Sequence, residues 1–252
     1  LANPSYGWFE TDAGVWWTAD NLGNLYRAAS APSKTTAWTA IVPDPSQCEP
    51  PLTQLSGGAG YQWRRFHVSA DGKSLAYPMP ETRGVCLSQD GGATWAPHLF
   101  PSPPKFSAAA RGLVFANDQV AIAWSGVSYD KPGYVYRTED GGLTWTAGIV
   151  PEELADTTKV TELHDAAFAP DGLVGYIVGS KNGGSIGPPL LYKTTDGGKT
   201  WVDITDASFK GTVVDVAHEA YLGSVFAPDD HNVWIGGHEG TLLHHPKGAI
   251  SN

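Results

Sequence analysis

Three octapeptides carry most of the information about the fold: SQDGGATW at 88–95, TEDGGLTW at 138–145 and TTDGGKTW at 194–201. Each has a hydroxyl residue first, Asp third, two glycines next and Thr-Trp last. Their Trp residues lie 50 and 56 positions apart. Asp beside glycines and hydroxyls is compatible with a metal loop, a catalytic carboxylate or a turn. The surrounding sequence has to distinguish these three interpretations.

A fourth, altered copy precedes the three. The stretch GNLYRAASAPSKTTAWTAIVP at 23–43 runs parallel to GYVYRTEDGGLTWTAGIVP at 133–151, with its Trp at 38 but without the Asp. Two further segments of alternating apolar residues, bounded by Asp/Gly turns, precede each Trp, as in RGLVFAND and QVAIAWSG before Trp145. Such segments are typical of β-strands. A fifth set begins at YLGSVFAPDD, and the chain ends before its fourth strand.

These units predict an all-β protein, because four-stranded units repeated about every 50 residues build a β-propeller of antiparallel blades. We expect the first strands to end at Phe9, Val68, Phe115, Phe168 and Phe226, and the fourth strands to open at Trp38, Trp95, Trp145 and Trp201. The whole of 1–252 is predicted to be a single propeller domain, with blades at about 5–42, 61–100, 108–150, 162–205 and 218–247. Five blades are favoured; the alternative is part of a six- or seven-bladed ring.

Composition limits the partners and the compartment. The chain has 16 Lys plus Arg against 26 Asp plus Glu and a formal charge of −10. Nucleic acid is therefore not expected as a partner, since affinity for phosphate backbones comes from clustered cations. No apolar run is long enough for a transmembrane segment. The chain begins LANPSYGWFE, so no export signal is expected within it.

Two cysteines occur, Cys48 in a Pro-rich connection and Cys86 in the strand leaving a neighbouring loop. We expect one disulfide between them, since it would close the loop and suits an oxidising compartment. The alternative is two free buried thiols. An extracytoplasmic location, periplasmic or secreted, follows from the disulfide.

The octapeptides are interpreted as structural turns. Asp90, Asp140 and Asp196 can accept hydrogen bonds from N–H groups of their own turns, and the glycines permit positive φ. Trp95, Trp145 and Trp201 should be buried at the start of a strand, with an indole N–H that needs an acceptor. A calcium loop requires more oxygen ligands than these turns supply. We predict no catalytic residue, no metal and no cofactor.

The octapeptides match the Asp-box, also called the BNR repeat. With their spacing, the chain most resembles the photosystem II assembly/stability factor family and its bacterial relatives, and more distantly the sialidase and sortilin-type propellers. The first resemblance implies an extracytoplasmic propeller that binds other proteins. Sialidase activity is disfavoured, because the family's FRIP-like segment is missing: the nearest stretch, YQWRRF at 61–66, lacks the Ile-Pro.

Binding residues are expected on the face of the propeller opposite the octapeptides, where long connections lie. Polar residues near the starts of first strands are candidates for a rim that takes an acidic ligand or partner: Arg64, Arg65, Arg111, His164 and Asp165. Alternatively, they are solvated residues paired with local carboxylates. Aromatic residues of second strands and loops form a second candidate group, most of which should pack within blades: Tyr77, Trp124 and Tyr129.

The predicted function is a non-catalytic binding, scaffold or assembly module that presents loops of one propeller face to a protein partner. The alternative is a carbohydrate-active propeller, either lectin or glycoside hydrolase. Five late histidines, among them His244 and His245, superficially resemble a metal cluster. However, adjacent residues of a strand point to opposite faces, so we interpret them as scattered surface residues.

Overall fold

A computed structural model describes residues 4–11, 14–20, 25–41, 46, 48, 66–79, 83–101, 110–125, 134–147, 161–181, 188–205, 222–229, 232–237 and 242–245. These residues form 19 strands arranged in five antiparallel sheets. Four sheets have four strands each, and the described part of the fifth has three. This is the blade organisation of a β-propeller.

Within every sheet, strands that follow one another in sequence also lie side by side. Blade 1 contains β1 (Pro4–Glu10), β2 (Trp16–Asp20), β3 (Leu25–Ala28) and β4 (Thr39–Ile41). Blade 2 contains β5 (His67–Val68), β6 (Leu75–Met79), β7 (Gly84–Ser88) and β8 (Ala96–Leu99). Blade 3 contains β9 (Ala110–Phe115), β10 (Ala121–Ser125), β11 (Val135–Thr138) and β12 (Thr146–Ala147).

Blade 4 contains β13 (Thr161–Phe168), β14 (Gly175–Lys181), β15 (Pro189–Thr194) and β16 (Val202–Asp203). Blade 5 contains β17 (Leu222–Phe226), β18 (Val233–Gly237) and β19 (Leu242–His245). The predicted strand positions are confirmed: each fourth strand begins directly after its Trp. Closure of the ring between blades 1 and 5 stays a prediction, as do the limits of the domain.

The core is divided among the interfaces between successive blades. One apolar cluster joins blades 1 and 2, another joins blades 2 and 3, a third joins blades 3 and 4, and a fourth joins blades 4 and 5. Strand residues alternate between the two faces of a sheet. Tyr136 of β11 therefore packs toward blade 2, whereas Val135 packs toward blade 4.

Close packing between two strands explains why residue 112 is a glycine. Trp124 on β10 pairs with Gly112 on β9, and its indole lies where a side chain would begin. A Cβ on Gly112 would come within 1.9 Å of that indole. Trp124 is 1 % exposed, so the absence of a side chain at 112 lets the largest residue of β10 enter the interface with blade 4.

The disulfide joins Cys48 to Cys86. Cys86 lies on β7, and Cys48 lies in the connection between blades 1 and 2. Both residues are buried in the cluster between these blades. The bond therefore ties the connection to the blade that follows it. Among the described residues, no helix is long and apolar enough to cross a membrane.

Candidate functional site

The three octapeptides form similar turns, here called the octamer turns (88–95, 138–145 and 194–201). In the last one, Asp196 Oδ1 accepts hydrogen bonds from the backbone N–H groups of Lys199 and Thr200 at 2.9 Å each. Asp196 Oδ2 accepts one from the Thr200 hydroxyl at 2.6 Å. The Thr194 hydroxyl donates to Oδ1 and accepts the Gly198 N–H. The carboxylate is thus occupied within its own turn.

Asp90 and Asp140 repeat this arrangement, each with a hydroxyl residue two positions before it and a Thr four positions after it. Both glycines of every octamer turn have positive φ, from 70° to 97°. Trp95 and Trp145 donate their indole N–H to the carbonyls of Gly92 and Gly142. Trp201 is equally buried, but its N–H has no such acceptor among the described residues.

Hydrogen bonds keep these carboxyl groups ionised. For Asp90, the hydroxyl and the N–H of Thr94 and the hydroxyl of Ser88 lower the pKa to about 2. Burial raises the pKa of Asp196, but the bonds from Thr200, Thr194 and Lys199 outweigh it and bring the pKa to about 2. An acid–base catalyst at neutral pH needs a pKa near 7. Asp90 and Asp196 are therefore unsuited to that role.

The octamer turns also connect the blades. Arg137 at the end of β11 donates from Nε to the Gly197 carbonyl of the next blade at 2.8 Å. It forms an ion pair with Glu139 at 2.6 Å, and Glu139 lies 3.6 Å from Lys199 of that same next blade. Gly197 N–H in turn donates to Leu173 O in the turn between β13 and β14. We call this side of the propeller the octamer face and the opposite side the loop face.

His164 and Asp165 on β13, predicted to belong to a polar rim, instead connect blade 4 to blade 5. His164 Nδ1 lies 2.8 Å from Leu222 O, and Asp165 Oδ2 accepts the Val225 N–H at 3.0 Å. Asp165 is 5 % exposed. The prediction of a solvent-facing rim is therefore wrong for Asp165: a bulge in β13 next to it turns its carboxylate toward the neighbouring blade.

Tyr77 and Trp124 also differ from the predicted binding role. They are 2 % and 1 % exposed, respectively, and lie in the apolar clusters between blades. Tyr77 packs against Trp95 with ring centroids 5.5 Å apart. A partner at the surface cannot contact either ring, so this is a correction: both aromatic residues belong to the packing.

The side chains of the remaining predicted binding residues lie outside the described part of the structure. Arg64, Arg65 and Tyr129 lie outside the described residues. Arg111 is on β9, the first strand of blade 3, and its side chain lies outside the described part. These four positions stay predictions.

A group of residues that the sequence did not single out lies on the loop face between blades 2 and 3. Arg83 ends the connection from β6 to β7, Phe100 follows β8, and Tyr134 precedes β11. Phe100 stacks on Tyr136 with ring centroids 4.1 Å apart and planes at 14°. We call these four residues the Arg83 patch.

The backbone at Arg83 has an unusual conformation. Among the described residues, Arg83 is the non-glycine residue with positive φ, at 54°. Its carbonyl accepts the Phe100 N–H at 2.9 Å, which fixes the turn against the end of β8. A conformation of this kind costs roughly 1–3 kcal/mol in a residue with a side chain, and such residues cluster at functional sites. The GYVYR pattern could have indicated the tyrosines, but local sequence does not predict this φ.

Blade 5 exposes aromatic residues on the sheet face that points away from blade 4. Phe226 and Trp234 pair across β17 and β18, and Trp234 pairs with His244 across β18 and β19. Phe226 is 62 % exposed and Trp234 is 40 % exposed. Trp234 stacks on His244 with ring centroids 4.1 Å apart. Within the described residues, no three His, Cys, Asp or Glu side chains come together in a group that could hold a metal ion.

Comparison with known proteins identifies the fold. No protein-family model matches the chain. Vacuolar protein sorting/targeting protein 10 from Colletotrichum graminicola is 27 % identical over 178 residues, which is 66 % of this chain and 10 % of that protein. The chain thus spans about a tenth of the length of this relative.

Many solved structures resemble nearly the whole chain, and two of them illustrate the likeness. YCF48 from Cyanidioschyzon merolae has a TM-score of 0.58 at 14 % identity, over 98 % of this chain and 72 % of that one. The xyloglucanase of family GH74 from Xanthomonas campestris has a TM-score of 0.62 at 14 % identity, over 95 % of this chain and 36 % of that one. At these identities the likeness establishes the β-propeller fold, and function has to be argued from the site.

Proposed function

We propose that the protein is a non-catalytic binding module that presents the loop face of an Asp-box propeller to a protein partner. One observation carries the proposal: the carboxylates of the octamer turns are engaged inside their own turns. The repeated motif thus serves as a support for the hairpins. Groups that can engage a partner are therefore sought on the loop face, where the Arg83 patch lies.

The proposal includes an extracytoplasmic location. Its support is the Cys48–Cys86 bond, because disulfides persist in oxidising compartments and are rare in the cytosol. The low similarity to a vacuolar sorting protein agrees with this location. Assembly of a larger complex, as the resemblance to photosystem II assembly factors implies, belongs to the same proposal.

Site-specific crosslinking can test which face is used. Leu99 at the end of β8 is 63 % exposed on the loop face, and Leu173 between β13 and β14 is 55 % exposed on the octamer face. A photo-reactive phenylalanine at each position gives a matched pair. In native extract we expect a discrete protein adduct from position 99 and none from position 173. Adducts from 173 alone, or from neither position, would contradict the proposal.

Charge-removal variants provide a second test of the same proposal. The triple change Arg64→Ser, Arg65→Ser and Arg111→Ser should abolish recovery of the adduct from position 99. The matched control removes three exposed cations of the octamer face with Lys34→Ser, Lys73→Ser and Lys199→Ser, and should leave recovery unchanged. Equal loss in both triple variants would point to a non-specific charge effect.

A carbohydrate-binding function is a second candidate, favoured by the exposed row of Phe226, Trp234 and His244. Flat aromatic faces suit stacking against sugar rings. A glycan array tests this candidate, with aryl glycosides as a test of hydrolysis. A specific glycan signal that disappears in Trp234→Ala, while the circular dichroism spectrum of the whole protein stays unchanged, would support the carbohydrate function. The absence of a signal in both assays would exclude it.

A further inference from the structure

Blade 5 has an uncovered sheet face on the side away from blade 4. Phe226, Trp234 and Leu242 lie on this side and are 62 %, 40 % and 67 % exposed, respectively. His244 stacks on the Trp234 indole, and Leu242 points to the same side because it lies two residues before His244 on β19. We call these four residues the blade-5 face. Among the described residues, no other blade covers it.

Blade 4 shows what covers the corresponding face elsewhere in the propeller. A bulge at the same place in β13 and β17 aligns the two sheets. By that alignment, the positions of the three exposed apolar residues are taken in blade 4 by Ala167, Tyr176 and Leu191. These residues are at most 5 % exposed and lie in the apolar cluster between blades 4 and 5. The blade-5 face therefore has the position of an interface between blades, where the sheet of another blade is the expected occupant.

Charge favours the sheet of a second copy as the occupant. The chain has a formal net charge of −10, so two copies repel each other over most of their surfaces. The other described strand residues on this side of the sheet are Ser224 and Gly236, so the face carries no Lys, Arg, Asp or Glu. A contact between two identical patches must be complementary to itself. An apolar face without charged residues meets this condition, whereas a charged face would bring like charges together.

We propose that the blade-5 face is a dimer interface, in which the blade-5 face of a second copy packs where another blade would lie. The contact is symmetric: the exposed aromatic row of one copy lies against the same row of the other, around a two-fold axis. Twisted sheets that pack face to face keep their strand directions within about 30° of each other, which two copies of the same sheet can satisfy. The inference does not depend on the proposed function, because neither Leu99 nor the Arg83 patch belongs to this face.

The size of the face indicates a weak dimer. A buried aromatic side chain removes about 150–250 Å² from water, so the exposed parts of Phe226 and Trp234 supply roughly 200 Å² in each copy. Leu242 adds to this apolar centre. A stable interface buries about 800 Å² per partner, and smaller ones belong to weak complexes. We therefore expect a dissociation constant on the order of 10 μM.

Sedimentation velocity of the purified protein tests the dimer. Across low micromolar to submillimolar protein concentrations, the sedimentation coefficient should rise from the value of a monomer to that of a dimer. Raising NaCl from about 0.05 M to 0.5 M should lower the dissociation constant, because salt screens the repulsion between two acidic copies. A dimer held by ion pairs would respond to salt in the opposite direction.

Matched variants separate this contact from non-specific association. The double change Phe226→Ser and Leu242→Ser should raise the dissociation constant at least about tenfold, because symmetry removes each contact twice. The control double change replaces Val202 and Leu99 by Ser, which are 62 % and 63 % exposed on fourth strands of other blades, and should leave the constant unchanged. Thermal unfolding of both double variants shows whether the fold is retained, which is expected because all four side chains are exposed.

Crosslinking identifies which surface is in contact. A photo-reactive phenylalanine in place of Phe226 should give a crosslinked dimer in purified protein, and the same group in place of Val202 should not. Mixing unlabelled with ¹⁵N-labelled protein distinguishes adducts between copies from adducts within one chain. The adduct between copies should lie on β17, β18 or β19 of the second copy.

Several outcomes would overturn the dimer. These are a monomer at every concentration, a dimer that persists in the Phe226→Ser, Leu242→Ser variant, and an adduct from position 226 to blade 1 of the same chain, which would assign the face to closure of the ring. A glycan bound by a protein that stays monomeric would assign the face to the carbohydrate candidate instead.

The proposed function is tested separately, by the adduct from position 99 in native extract. If that adduct forms and the purified protein stays monomeric, the dimer is wrong and the binding module stands. If the protein dimerises through the blade-5 face but position 99 yields no adduct, the dimer stands and the proposed function fails.

Discussion

Blades 4 and 1 make the same hairpin by different means. In blade 4, the Asp196 carboxylate accepts hydrogen bonds from backbone N–H groups of its own turn. Two glycines of that turn adopt positive φ, and β16 begins eight residues after Thr194. In blade 1, the corresponding segment 28–38 has neither Asp nor Gly. There, the Thr36 hydroxyl donates to Ala31 O at 2.9 Å and accepts the Ser33 N–H at 2.8 Å.

The difference affects the Trp that follows each turn. Trp95, Trp145 and Trp201 are 5–6 % exposed, whereas Trp38 is only partly buried. The hairpin therefore does not require the Asp, but the compact octamer turn accompanies deeper burial of the indole. We infer that the motif is retained for packing between blades, and its removal should cost more in blades 2–4 than in blade 1.

The largest expected loss of stability comes from replacing the Trp residues that follow the turns. Trp145 packs edge-on to Phe100 at 5.2 Å, so Trp145→Ala should lower the free energy of unfolding by about 3–5 kcal/mol. Trp38→Ala should cost less than about 2 kcal/mol, because the indole already contacts water. Urea denaturation of both variants measures the contrast. Equal losses would show that the two turns support packing to the same extent.

Acid should weaken the interface between blades before it affects the octamer turns. His67 stacks on Phe115 at 3.7 Å, and burial lowers its pKa from 6.5 to about 4. Because the unfolded chain then binds the proton more readily, stability is present above pH 6.5 and is lost as the pH falls toward 4, by roughly 3 kcal/mol.

The octamer turns respond at lower pH. The pKa of Asp196 is about 2 against an ordinary 3.8, so its contribution is present above 3.8 and is lost only as the pH falls toward 2. Denaturation midpoints at pH 7 and pH 4.5 should differ less in His67→Phe than in the unmodified protein. An unchanged difference would mean that His67 does not carry the acid response.

Substitution of Asp196 should have an intermediate effect on the free energy of unfolding. Asp196→Ala removes an acceptor of several hydrogen bonds and should cost about 2 kcal/mol. Asp196→Asn retains one acceptor oxygen and should cost about half as much. In blade 1, Thr36→Val should cost about 1 kcal/mol or less, since its bonds are exposed. Thermal unfolding ranks the three variants, and a Thr36→Val loss as large as that of Asp196→Ala would contradict the comparison.

The smallest effect is expected from a glycine. Gly197 has φ of 70°, and a Cβ there would meet nothing closer than Gly172 O at 3.3 Å. Gly197→Ala should therefore cost about 1 kcal/mol through backbone conformation, with a small further cost from the tight contact of the new Cβ with the Gly172 carbonyl oxygen. The reverse type of substitution, Ala31→Gly, lies in the glycine-free turn of blade 1. It should lower the stability by less than Gly197→Ala does. Calorimetry on both variants checks the order.

Local patterns in the sequence predicted most of the fold. The period of about 50 residues located the blades, and each fourth strand begins directly after its Trp because the turn and the indole are short-range features. The candidate site was predicted less well. Tyr77 and Trp124 were expected near the loop face, yet both are packed between blades, since the sequence indicates which residues are aromatic but not which sheet face a neighbouring blade covers.

The sequence by itself determined the repeat, the blade type and the role of the octamer turns, because these depend on side chains that bond within eight residues of one another. Only the tertiary structure placed His164 and Asp165 against blade 5 and stacked Phe100 on Tyr136, 36 residues away in the chain. Those contacts depend on how one blade is rotated against the next. That rotation is set by the summed packing of whole sheets, which no short stretch of sequence encodes.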